Sequence, residues 1–347
     1  MRLIVITQKV DINDGNLGFF HRWLEKLAEK VTELRVVCLA EGEHHLPSNT
    51  LVYSLGKEKG YSKLRQFFRL QKFLLKNLAE TEGVLIHMCP IYAIASFPLV
   101  RAFRKRFVMF YAHGGVHIKL KVAEKVVGAI LSSSVAGCRL KSKKVKIIGQ
   151  GIDTEKFKIQ NSKFKITSQN SKFRILYAGR INRTKDPETI IRAIDILVNQ
   201  NNLKNIKLKI IGHPLVKSEK EYLEKLKDLV KDKGLAGCVE FIDGVPYSQM
   251  PGHYQNTDLF VNPSSTGSLD KVVLEAMAAG CLVLNCNEAY QEILDSKYMF
   301  KKNDPEDLSQ KIANLMQSPK DPSLREIVVK NHNLDNFIAK IVQSFYA

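Results

Sequence analysis

Two cationic side chains follow one apolar segment in the second half of the chain. Phe173–Ala178 has the composition of a buried strand, Gly179 ends it, and Arg180 and Lys185 come within the next few positions. An arginine offers a planar fork of donors and a lysine a compact charge, and together they suit the two negative charges of a pyrophosphate. The alternative is two exposed cations on a loop of a lysine-rich protein. The pattern is therefore a candidate anion site, with that alternative still open.

A second candidate anion site precedes a helix further along the chain. Residues 262–270 are small and polar, and residues 271–279 have the composition of a helix that ends at Gly280. A helix start exposes backbone N–H groups, and its dipole favours an anion. Glu275 lies about one turn into this helix, where a carboxylate can accept hydrogen bonds from both hydroxyls of a ribose. Its alternative role is an i, i+4 pair with Lys271, which adds only about 0.2 to 0.5 kcal/mol.

Short apolar segments alternate with amphipathic segments along both halves of the chain. Such alternation predicts a parallel, doubly wound sheet in each half, with strands covered on both faces. Asp186 and Pro187 form a helix start before apolar positions at helical spacing. The predicted strands are 3–7, 34–39, Gly83–His87 and 107–111 in the first half, and Phe173–Ala178, 208–211, Val239–Ile242, 259–261 and 282–284 in the second.

The predicted architecture is two Rossmann-like domains that face each other across a cleft. Residues 1–160 form the first domain, residues 161–330 form the second, and a helix in 331–347 crosses back to the first. Ligands of such sheets bind outside the carboxyl ends of the strands. The dinucleotide fingerprint GxGxxG follows none of the predicted strands, which counts against a nicotinamide-dependent enzyme. We therefore expect the chemistry in other loops that follow the strands.

Length and composition agree with two soluble domains. The chain has 347 residues, of which 45% are hydrophobic and 25% charged, whereas single cores stop growing at roughly 250 to 300 residues. No apolar run reaches the roughly 18 residues that span a bilayer, and the apolar start of the chain is too short for a signal peptide, so we expect a cytoplasmic protein. The six cysteines include no CxxC pair. We expect them to be core side chains rather than zinc ligands or disulfides.

Positive charge is concentrated in the first half. The formal net charge is +18, and residues 1–150 carry 25 Lys and Arg against 11 Asp and Glu, a net +14. The remainder of the chain contributes only +4. Such a field attracts a polyanion, and nucleic acid, an anionic membrane and a phosphate-bearing acceptor are all candidates.

The two candidate anion sites together resemble a known family. AGRINRTKD, which begins at Ala178, and TGSLDKVVLEAMAAGCLVL, which begins at Thr266, look like the donor-binding domain of retaining GT-B glycosyltransferases of family four. The segments YAHG at 111–114 and IGQGID at 148–153, and the opening ITQKVDINDGNLGFFHRW, sit where that family has comparable stretches. The resemblance implies a GT-B fold and transfer of a sugar from a nucleotide-diphosphate sugar, linked to UDP or GDP, to a hydroxyl acceptor.

The resemblance also implies roles for individual residues. Arg180 and Lys185 neutralise the diphosphate leaving group, Glu275 holds the nucleotide ribose, and Val245 lies near the base. His113 matches the family's active-site histidine, beside the transferred sugar. The predicted catalytic residues are thus His113, Arg180 and Lys185, and the predicted nucleotide-sugar-binding residues are Gly179, Val245, Gly267, Ser268, Leu269, Asp270 and Glu275.

One position departs from the family's pattern. The family commonly has two glutamates, and the first of them falls at Gly267, which has no side chain. Asp270 is the nearest acid. It either replaces the missing carboxylate at the sugar hydroxyls or caps the following helix, and both roles remain open at this stage.

The expected mechanism needs no metal or other cofactor. Fixed positive charge at a departing diphosphate lowers the barrier directly, and no DxD-type metal motif follows a predicted strand. The resemblance implies that the anomeric configuration is retained, through front-face attack by the acceptor hydroxyl while the leaving phosphate takes its proton.

The acceptor is expected to meet the first domain. Gly18 leaves space for its approach, and Asp14 and His21 are nearby polar candidates. Residues 63–76 interleave basic side chains with Leu and Phe, and residues 101–106 are also basic. A basic amphipathic helix can lie on an anionic membrane. A lipid-linked or cell-surface polysaccharide precursor is therefore a candidate acceptor. The inner face of the cell membrane is a candidate location. The alternative is a helix whose apolar positions are core and whose lysines are a solvated face.

Three rival interpretations remain. Another GT-B enzyme of nucleotide sugars, such as an epimerase, fits the same donor motifs. A basic nucleic-acid-binding protein fits the net charge, but the sequence has no recognisable reading helix or aromatic-lined strand module, so no nucleic acid partner is expected. An inactive scaffold is the third interpretation, because Gly267 lacks the family's carboxylate.

Overall fold

A computed structural model divides the chain into two compact units. Unit 1 comprises Met1–Gly151 and Asn333–Ala347, and unit 2 comprises Ile152–His332. The structure describes residues 1–158, 172–264 and 266–346.

The division between the units lies at residue 151 rather than at the predicted residue 160. Ile152 and Phe157 are 1% and 0% exposed in the core of unit 2. The stretch before the polar segment therefore already belongs to the second core. Most of that polar segment, 159–171, lies outside the described residues.

Unit 1 is a layered α/β structure. Its strands are β1 (Arg2–Val10), β2 (Glu33–Glu41), β3 (Thr50–Ser54), β4 (Gly83–His87), β5 (Arg106–Phe110), β6 (Ala129–Ser132) and β7 (Val145–Ile147). Its helices are α1 (Gly18–Ala28), α2 (Lys63–Asn77), α3 (Pro90–Ala102) and α4 (Ile118–Val126), with a 3-10 turn at Leu78–Glu80. The strands pair in the order β3-β2-β1-β4-β5-β6-β7, and each pair is parallel.

The first strand shows why an unbroken apolar run forms the middle of this sheet. Leu3 and Val5 point into one core, and Ile4 and Ile6 point into the other. Successive side chains of a strand alternate between the two faces, so a strand covered on both faces must be apolar at every position.

The last helix of the chain, Leu334–Gln343, packs in unit 1. The rings of Trp23 on α1 and Phe337 on this helix lie 4.4 Å apart. Lys26 Nζ is 3.1 Å from Asp335 Oδ1. The C-terminal segment, for which we predicted a helix crossing back to the first domain, thus completes one face of the first sheet.

Unit 2 repeats this plan on a smaller sheet. Its strands are β8 (Phe173–Ala178), β9 (Ile206–Ile211), β10 (Val239–Ile242), β11 (Leu259–Asn262) and β12 (Leu282–Asn285). Its helices are α5 (Pro187–Asp195, continued by a π-turn at Ile196–Gln200), α6 (Lys217–Asp232), α7 (Met250–Gln255), α8 (Lys271–Ala278), α9 (Pro305–Met316) and α10 (Pro322–Asn331). The C-terminal helix Leu334–Gln343, which packs in unit 1, is α11. Short 3-10 turns occur at Tyr247–Gln249, Glu288–Tyr290 and Ser296–Tyr298. The strand order is β10-β9-β8-β11-β12, with each pair parallel.

The predicted start of α5 is confirmed. The Asp186 carboxylate accepts a hydrogen bond from the backbone N–H of Thr189, and Pro187 occupies the first helical position. Ile190 and Ile194 on the inner face are fully buried. The cap and the apolar spacing together position the loop that precedes this helix.

The prediction of two Rossmann-like parallel α/β domains is confirmed. Within the described ranges, no helix has both the length and the hydropathy to cross a bilayer.

Candidate functional site

The loop after β8 begins at a close approach of two backbones. A Cβ atom on Gly212, which follows β9, would lie 1.8 Å from the carbonyl oxygen of Gly179. The N–H of Gly179 also donates to the carbonyl of Ile211 at 3.0 Å. Because glycine at position 212 has no side chain, the ends of β8 and β9 can lie side by side. The loop at 179–186 therefore starts from a fixed point.

Lys185 in this loop reaches the neighbouring strand end. Its Nζ lies 2.7 Å from Asp270 Oδ1 and 3.1 Å from Ser264 Oγ. The Lys185 backbone N–H donates to the side-chain oxygen of Asn182 at 2.9 Å, which sets the course of the loop. Since β8 and β11 are adjacent, the ammonium group comes to the amino end of α8.

Asp270 stands at the N-cap position of α8, but its side chain makes no capping hydrogen bond. The carboxylate instead accepts from Lys185 and from the side-chain amides of Asn262 at 3.2 Å and Asn287 at 3.4 Å. Asn262 also donates to Asn285 Oδ1 at 3.1 Å. The capping role left open for Asp270 is therefore wrong for its side chain, because the carboxylate is used within this polar cluster.

The loop between β11 and α8 carries a chain of hydroxyl groups. Thr266 Oγ1 lies 3.2 Å from Ser264 Oγ and 3.3 Å from Ser268 Oγ. Gly267 has a φ of +66°, a left-handed conformation that side chains rarely adopt. Leu269 is 3% exposed and packs in the core of unit 2. Of the predicted loop residues, Ser268 thus presents a hydroxyl, and Leu269 anchors the loop.

Glu275, one turn into α8, is only 3% exposed. Its two carboxylate oxygens accept hydrogen bonds from Tyr247 Oη at 3.1 Å and Tyr254 Oη at 3.0 Å. Burial raises the pKa of Glu275, and the hydrogen bonds from Tyr254 and Tyr247 and the charge of Lys271 act in the opposite direction. Each carboxylate oxygen has a second lone pair, so acceptor capacity for ribose hydroxyls is retained.

Arg180 turns to the other side of β8. Its Nη2 lies 2.7 Å from Glu219 Oε1, and its Nε donates to Glu219 Oε2 at 3.0 Å, a two-point contact with α6. Glu219 also accepts from the backbone N–H of Leu215 at 2.7 Å. Burial acts to raise the pKa of Glu219, but the hydrogen bonds from Arg180 and Leu215 outweigh it and lower that pKa. Arg180 therefore belongs to the β9 side of the sheet edge, and Lys185 belongs to the β11 side.

Val245, predicted to lie near the base, is half-buried against the core of unit 2. It precedes the 3-10 turn that contains Tyr247. The phenol of Tyr247 contacts the carboxylate of Glu275, so the loop that carries Val245 is joined to α8 through this contact.

His113 follows β5 in unit 1 and is exposed. Its Nδ1 accepts a hydrogen bond from the backbone N–H of Gly115 at 3.1 Å, and its ring lies edge-on to Tyr111 at 6.3 Å. The accepted bond places any ring proton of neutral His113 on Nε2. The imidazole is thus held at a strand end of unit 1, and its role beside the transferred sugar stays a prediction.

Asp14 and Gly18 form the turn between β1 and α1. Asp14 Oδ2 lies 2.8 Å from Lys9 Nζ, and Asp14 Oδ1 accepts from the backbone N–H groups of Leu17 and Asn16. Burial acts to raise the pKa of Asp14, but these hydrogen bonds outweigh it and hold the pKa below its ordinary value. Gly18 is buried at the start of α1. Asp14 therefore organises this loop through its carboxylate.

His21 is a correction to the predicted acceptor-side residues. It is 3% exposed, and its Nδ1 lies 3.0 Å from Glu25 Oε1 while its Nε2 accepts from the backbone N–H of His45 at 3.0 Å. Both ring nitrogens are therefore used inside unit 1. Its place on α1, on the face that packs against the sheet, decides this, and the sequence pattern did not reveal that it faces inward.

The residues that sequence reasoning missed are those that hold the predicted ones in place. They are Glu219, Tyr247, Tyr254, Asn262, Asn285 and Asn287. The sequence does contain a pattern that points to Asn262 and Asn285, because each is the polar last residue of an apolar strand of the same sheet. In the ranges that the structure describes, no group of three or more His, Cys, Asp or Glu side chains could hold a metal ion.

Comparison with known proteins identifies the family. Residues 158–333, half of the chain, match the family described as glycosyl transferases group 1, so the chain belongs to the group 1 glycosyltransferases. A curated relative, the D-inositol 3-phosphate glycosyltransferase of Corynebacterium jeikeium, is 31% identical over 31% of this chain and 26% of its own length. An uncharacterised glycosyltransferase of Methanocaldococcus jannaschii is 27% identical over 77% of this chain and 66% of its own length.

Solved structures share the fold of the whole chain. The Anabaena protein Alr3699/HepE, solved in complex with UDP, superposes with a TM-score of 0.78 at 15% identity, over 100% of both chains. The sucrose-phosphate synthase of Thermosynechococcus elongatus gives a TM-score of 0.75 at 16% identity, over 100% of this chain and 98% of its own. The predicted GT-B fold is therefore confirmed.

Proposed function

We propose that this chain is a retaining glycosyltransferase that moves a sugar from a nucleotide-diphosphate sugar to a hydroxyl acceptor. One observation carries the proposal: the ammonium group of Lys185 lies at the amino end of α8, beside the Ser264 hydroxyl. A cation and a helix amino end together form a site for a phosphate group. Family membership makes a glycosyl diphosphate the natural occupant.

Electrostatics supplies the catalysis in this proposal. As the bond between the sugar and the diphosphate breaks, negative charge develops on the leaving group. Lys185 and the amino end of α8 face that charge from one side, and Arg180 is the second cation. Their partners Asp270 and Glu219 hold both cations in position before the donor arrives, so little reorganisation is needed during the reaction.

This arrangement of cations leads us to propose a mechanism without a metal cofactor. The positive charge that a divalent ion supplies in other transferases comes here from fixed side chains. The leaving phosphate then accepts the proton of the attacking hydroxyl on the same face of the sugar. Retention of the anomeric configuration follows, and His113 assists at the transferred sugar.

The nucleotide is held through its ribose by Glu275 in this proposal. Two tyrosine hydroxyls fix the carboxylate at 3.0 and 3.1 Å, so its remaining lone pairs have set directions. Between the two candidate bases we favour uracil. The related Anabaena protein has been solved with UDP and with UDP-glucose.

Asp270 is the proposed contact to the transferred sugar. It is the acidic side chain closest in sequence to Gly267, and its carboxylate lies against Lys185. A carboxylate at this place can accept hydrogen bonds from sugar hydroxyls once the donor engages the lysine. It thus takes the role that a glutamate at position 267 has in the family.

The test is thermal unfolding of the whole chain with UDP, GDP and a short DNA duplex. A nucleotide present at 100 times its dissociation constant adds about 2.7 kcal/mol to the free energy of unfolding. We expect stabilisation by UDP, less by GDP and none by DNA. Stabilisation by DNA with no response to either nucleotide would overturn the proposal in favour of a nucleic-acid-binding protein.

A turnover assay separates the transferase from its closest rival. UDP-glucose and a hydroxyl acceptor should yield UDP and a glycoside whose anomeric configuration, read by NMR, is that of the donor. Activity should persist in EDTA. Conversion of the donor to an epimeric nucleotide sugar in the absence of acceptor would instead identify an epimerase.

A further inference from the structure

We propose that unit 1 binds an anionic membrane through the outer surface of α2, α3 and α4. We call this surface the basic-apolar face. It is formed by the apolar residues Leu64, Phe67, Phe68, Ile91, Ile118 and Val122 and by the exposed lysines Lys72, Lys76, Lys121 and Lys125. Leu64, Phe68 and Ile118 are 66%, 61% and 74% exposed. The proposal rests on unit 1 alone and does not depend on the proposed transferase activity.

Helix α2 has two separate apolar stripes, about 120° apart around its axis. Leu70 and Leu74 are buried in the core beneath the helix, at 1% and 0% exposure. Leu64, Phe68 and Leu75 are spaced i, i+4 and i+11, which places them on one stripe away from that core. A surface helix normally carries polar residues there. The core of unit 1 therefore accounts for only one of the two apolar sides.

The charges around this stripe have a single sign. Helix α2 carries five Lys and Arg and no Asp or Glu. Arg69 donates to the Ser54 carbonyl at 2.8 Å and Arg65 stacks over the Tyr61 ring at 3.5 Å, whereas Lys72 and Lys76 are exposed beside the stripe. The face thus combines outward apolar side chains with outward positive charge.

Helix α4 repeats the combination. Ile118 and Val122 are spaced i, i+4 and are 74% and 39% exposed. Lys121 is exposed next to Val122, and Lys125 is exposed one helical turn after Lys121. Two helices of one layer therefore present the same pairing of apolar and cationic side chains.

The topology brings these helices to one edge of the sheet. Helices α2, α3 and α4 follow β3, β4 and β5, whose carboxyl ends share an edge because the strands are parallel. All three pack on the same core. Gln71 on α2 donates to the Ala95 carbonyl on α3 at 3.0 Å, which joins two of them directly. Leu64, Ile91 and Ile118, near the three helix starts, consequently lie towards that edge.

An anionic bilayer is the occupant that matches both properties. Its headgroups attract the lysines, and its acyl boundary takes up the leucine and phenylalanine side chains. A second copy of this chain would bring the same positive charge to the contact and be repelled. The loops that carry Asp14 and His113 follow β1 and β5 at the same edge. Docking would hold them close to the bilayer, where a lipid-linked hydroxyl would be presented.

The test is cosedimentation of the full chain with vesicles. We compare phosphatidylcholine alone with phosphatidylcholine and phosphatidylglycerol at about 7:3, in about 0.05 M and about 1 M salt. We expect binding to the anionic vesicles at low salt and release at high salt. Absence of binding, or equal binding to neutral vesicles, would overturn the proposal.

Two pairs of variants locate the binding surface. Leu64→Ser with Phe68→Ser should weaken vesicle binding at least about tenfold, whereas the control Leu51→Ser, 58% exposed on β3, should not. The double variant Lys72→Glu and Lys76→Glu should also weaken vesicle binding at least about tenfold. Its control is Lys225→Glu with Lys231→Glu on α6, which changes the net charge equally and should leave vesicle binding less affected. Equal effects of the two charge pairs would show non-specific attraction and overturn the assignment.

Two further measurements separate the other outcomes. UDP-induced stabilisation reports on unit 2 and should be unchanged in the α2 variants, so failure of one proposal is distinguishable from failure of the other. Sedimentation velocity detects self-association. A concentration-dependent dimer that is lost in the Leu64 and Phe68 variant would identify a second copy as the occupant and overturn the membrane proposal.

Discussion

Lys185 Nζ and Asp270 Oδ1 lie 2.7 Å apart and join the loop after β8 to the start of α8. The two residues are 85 positions apart in the chain. Their side chains are 22% and 11% exposed, so the pair is partly shielded from water. In the proposed function, a diphosphate bound here shares Lys185 with a carboxylate that is already in place.

Lys185→Ala is expected to lower turnover at least about 100-fold, the scale of losing one preorganised stabilising group. The same loss is expected for Arg180→Ala. The measurement is kcat/KM with UDP-glucose, with the exposed Lys225→Ala on α6 as control. Near-normal activity in either site variant would exclude that residue from the leaving-group site.

Asp270→Asn tests the sugar contact separately from nucleotide binding. The variant keeps the side chain's shape but frees Lys185 of its negative partner, so UDP should bind as well as before or more tightly. Loss of a charged hydrogen bond to the sugar should lower kcat by roughly ten- to a hundredfold. The exposed Asp228→Asn serves as control. Unchanged kcat would refute the proposed role at the sugar.

Glu275→Gln is expected to have a pH-dependent effect on stability. Because burial raises the pKa of Glu275, the folded state binds the proton more tightly than the unfolded state. Its stabilising contribution is fully present below the unfolded value of about 4.3 and is lost as the pH rises through the folded pKa. The free energy of unfolding of the natural protein, relative to the variant, should therefore fall as the pH rises above about 4.3.

Urea unfolding at several pH values measures this difference. Glu221→Gln, at an exposed position on α6, is the matched control and should give a difference that does not change with pH. A Glu275→Gln difference that rises with pH would contradict the raised pKa.

His113→Ala should lower kcat at least about tenfold. The affinity for UDP should stay within about twofold of that of the natural protein, because His113 belongs to unit 1 and the predicted nucleotide-binding residues belong to unit 2. Isothermal titration and steady-state kinetics measure the two quantities. His45→Ala is a control at a position where the side chain is 73% exposed. A parallel loss of UDP affinity would argue against a role confined to the transfer step.

Gly212→Ala should destabilise the chain by more than about 2 kcal/mol, since the added methyl group would overlap a backbone carbonyl that cannot easily move. In the control Gly252→Ala, on α7, the added Cβ meets nothing within 4 Å. That change should be neutral or stabilise by up to about 1 kcal/mol. Equal urea midpoints for the two variants would show that the two strand ends separate readily.

In unit 1, the strands predicted from the sequence are buried over most of their length. The four strands predicted in unit 1 correspond to β1, β2, β4 and β5, in the middle of the sheet order. The strands β3 and β7 lie at its edges and are only partly buried, and β6 spans only Ala129–Ser132. A half-exposed strand has no continuous apolar run, so the pattern gave no signal for β3 and β7. Strand β6 is buried and as long as β11, which was predicted, so its length does not explain why it was missed.

Local sequence was sufficient to put cations and small residues after the right strands, because an apolar run and the loop behind it are adjacent in the chain. Arg180, Lys185 and Asp270 all follow predicted strands in this way. Tertiary structure alone decided which carboxylate each cation meets. Glu219 is 39 residues from Arg180, and Asp270 is 85 residues from Lys185. Both contacts exist because β8 lies between β9 and β11, and that order arises from packing the whole sheet.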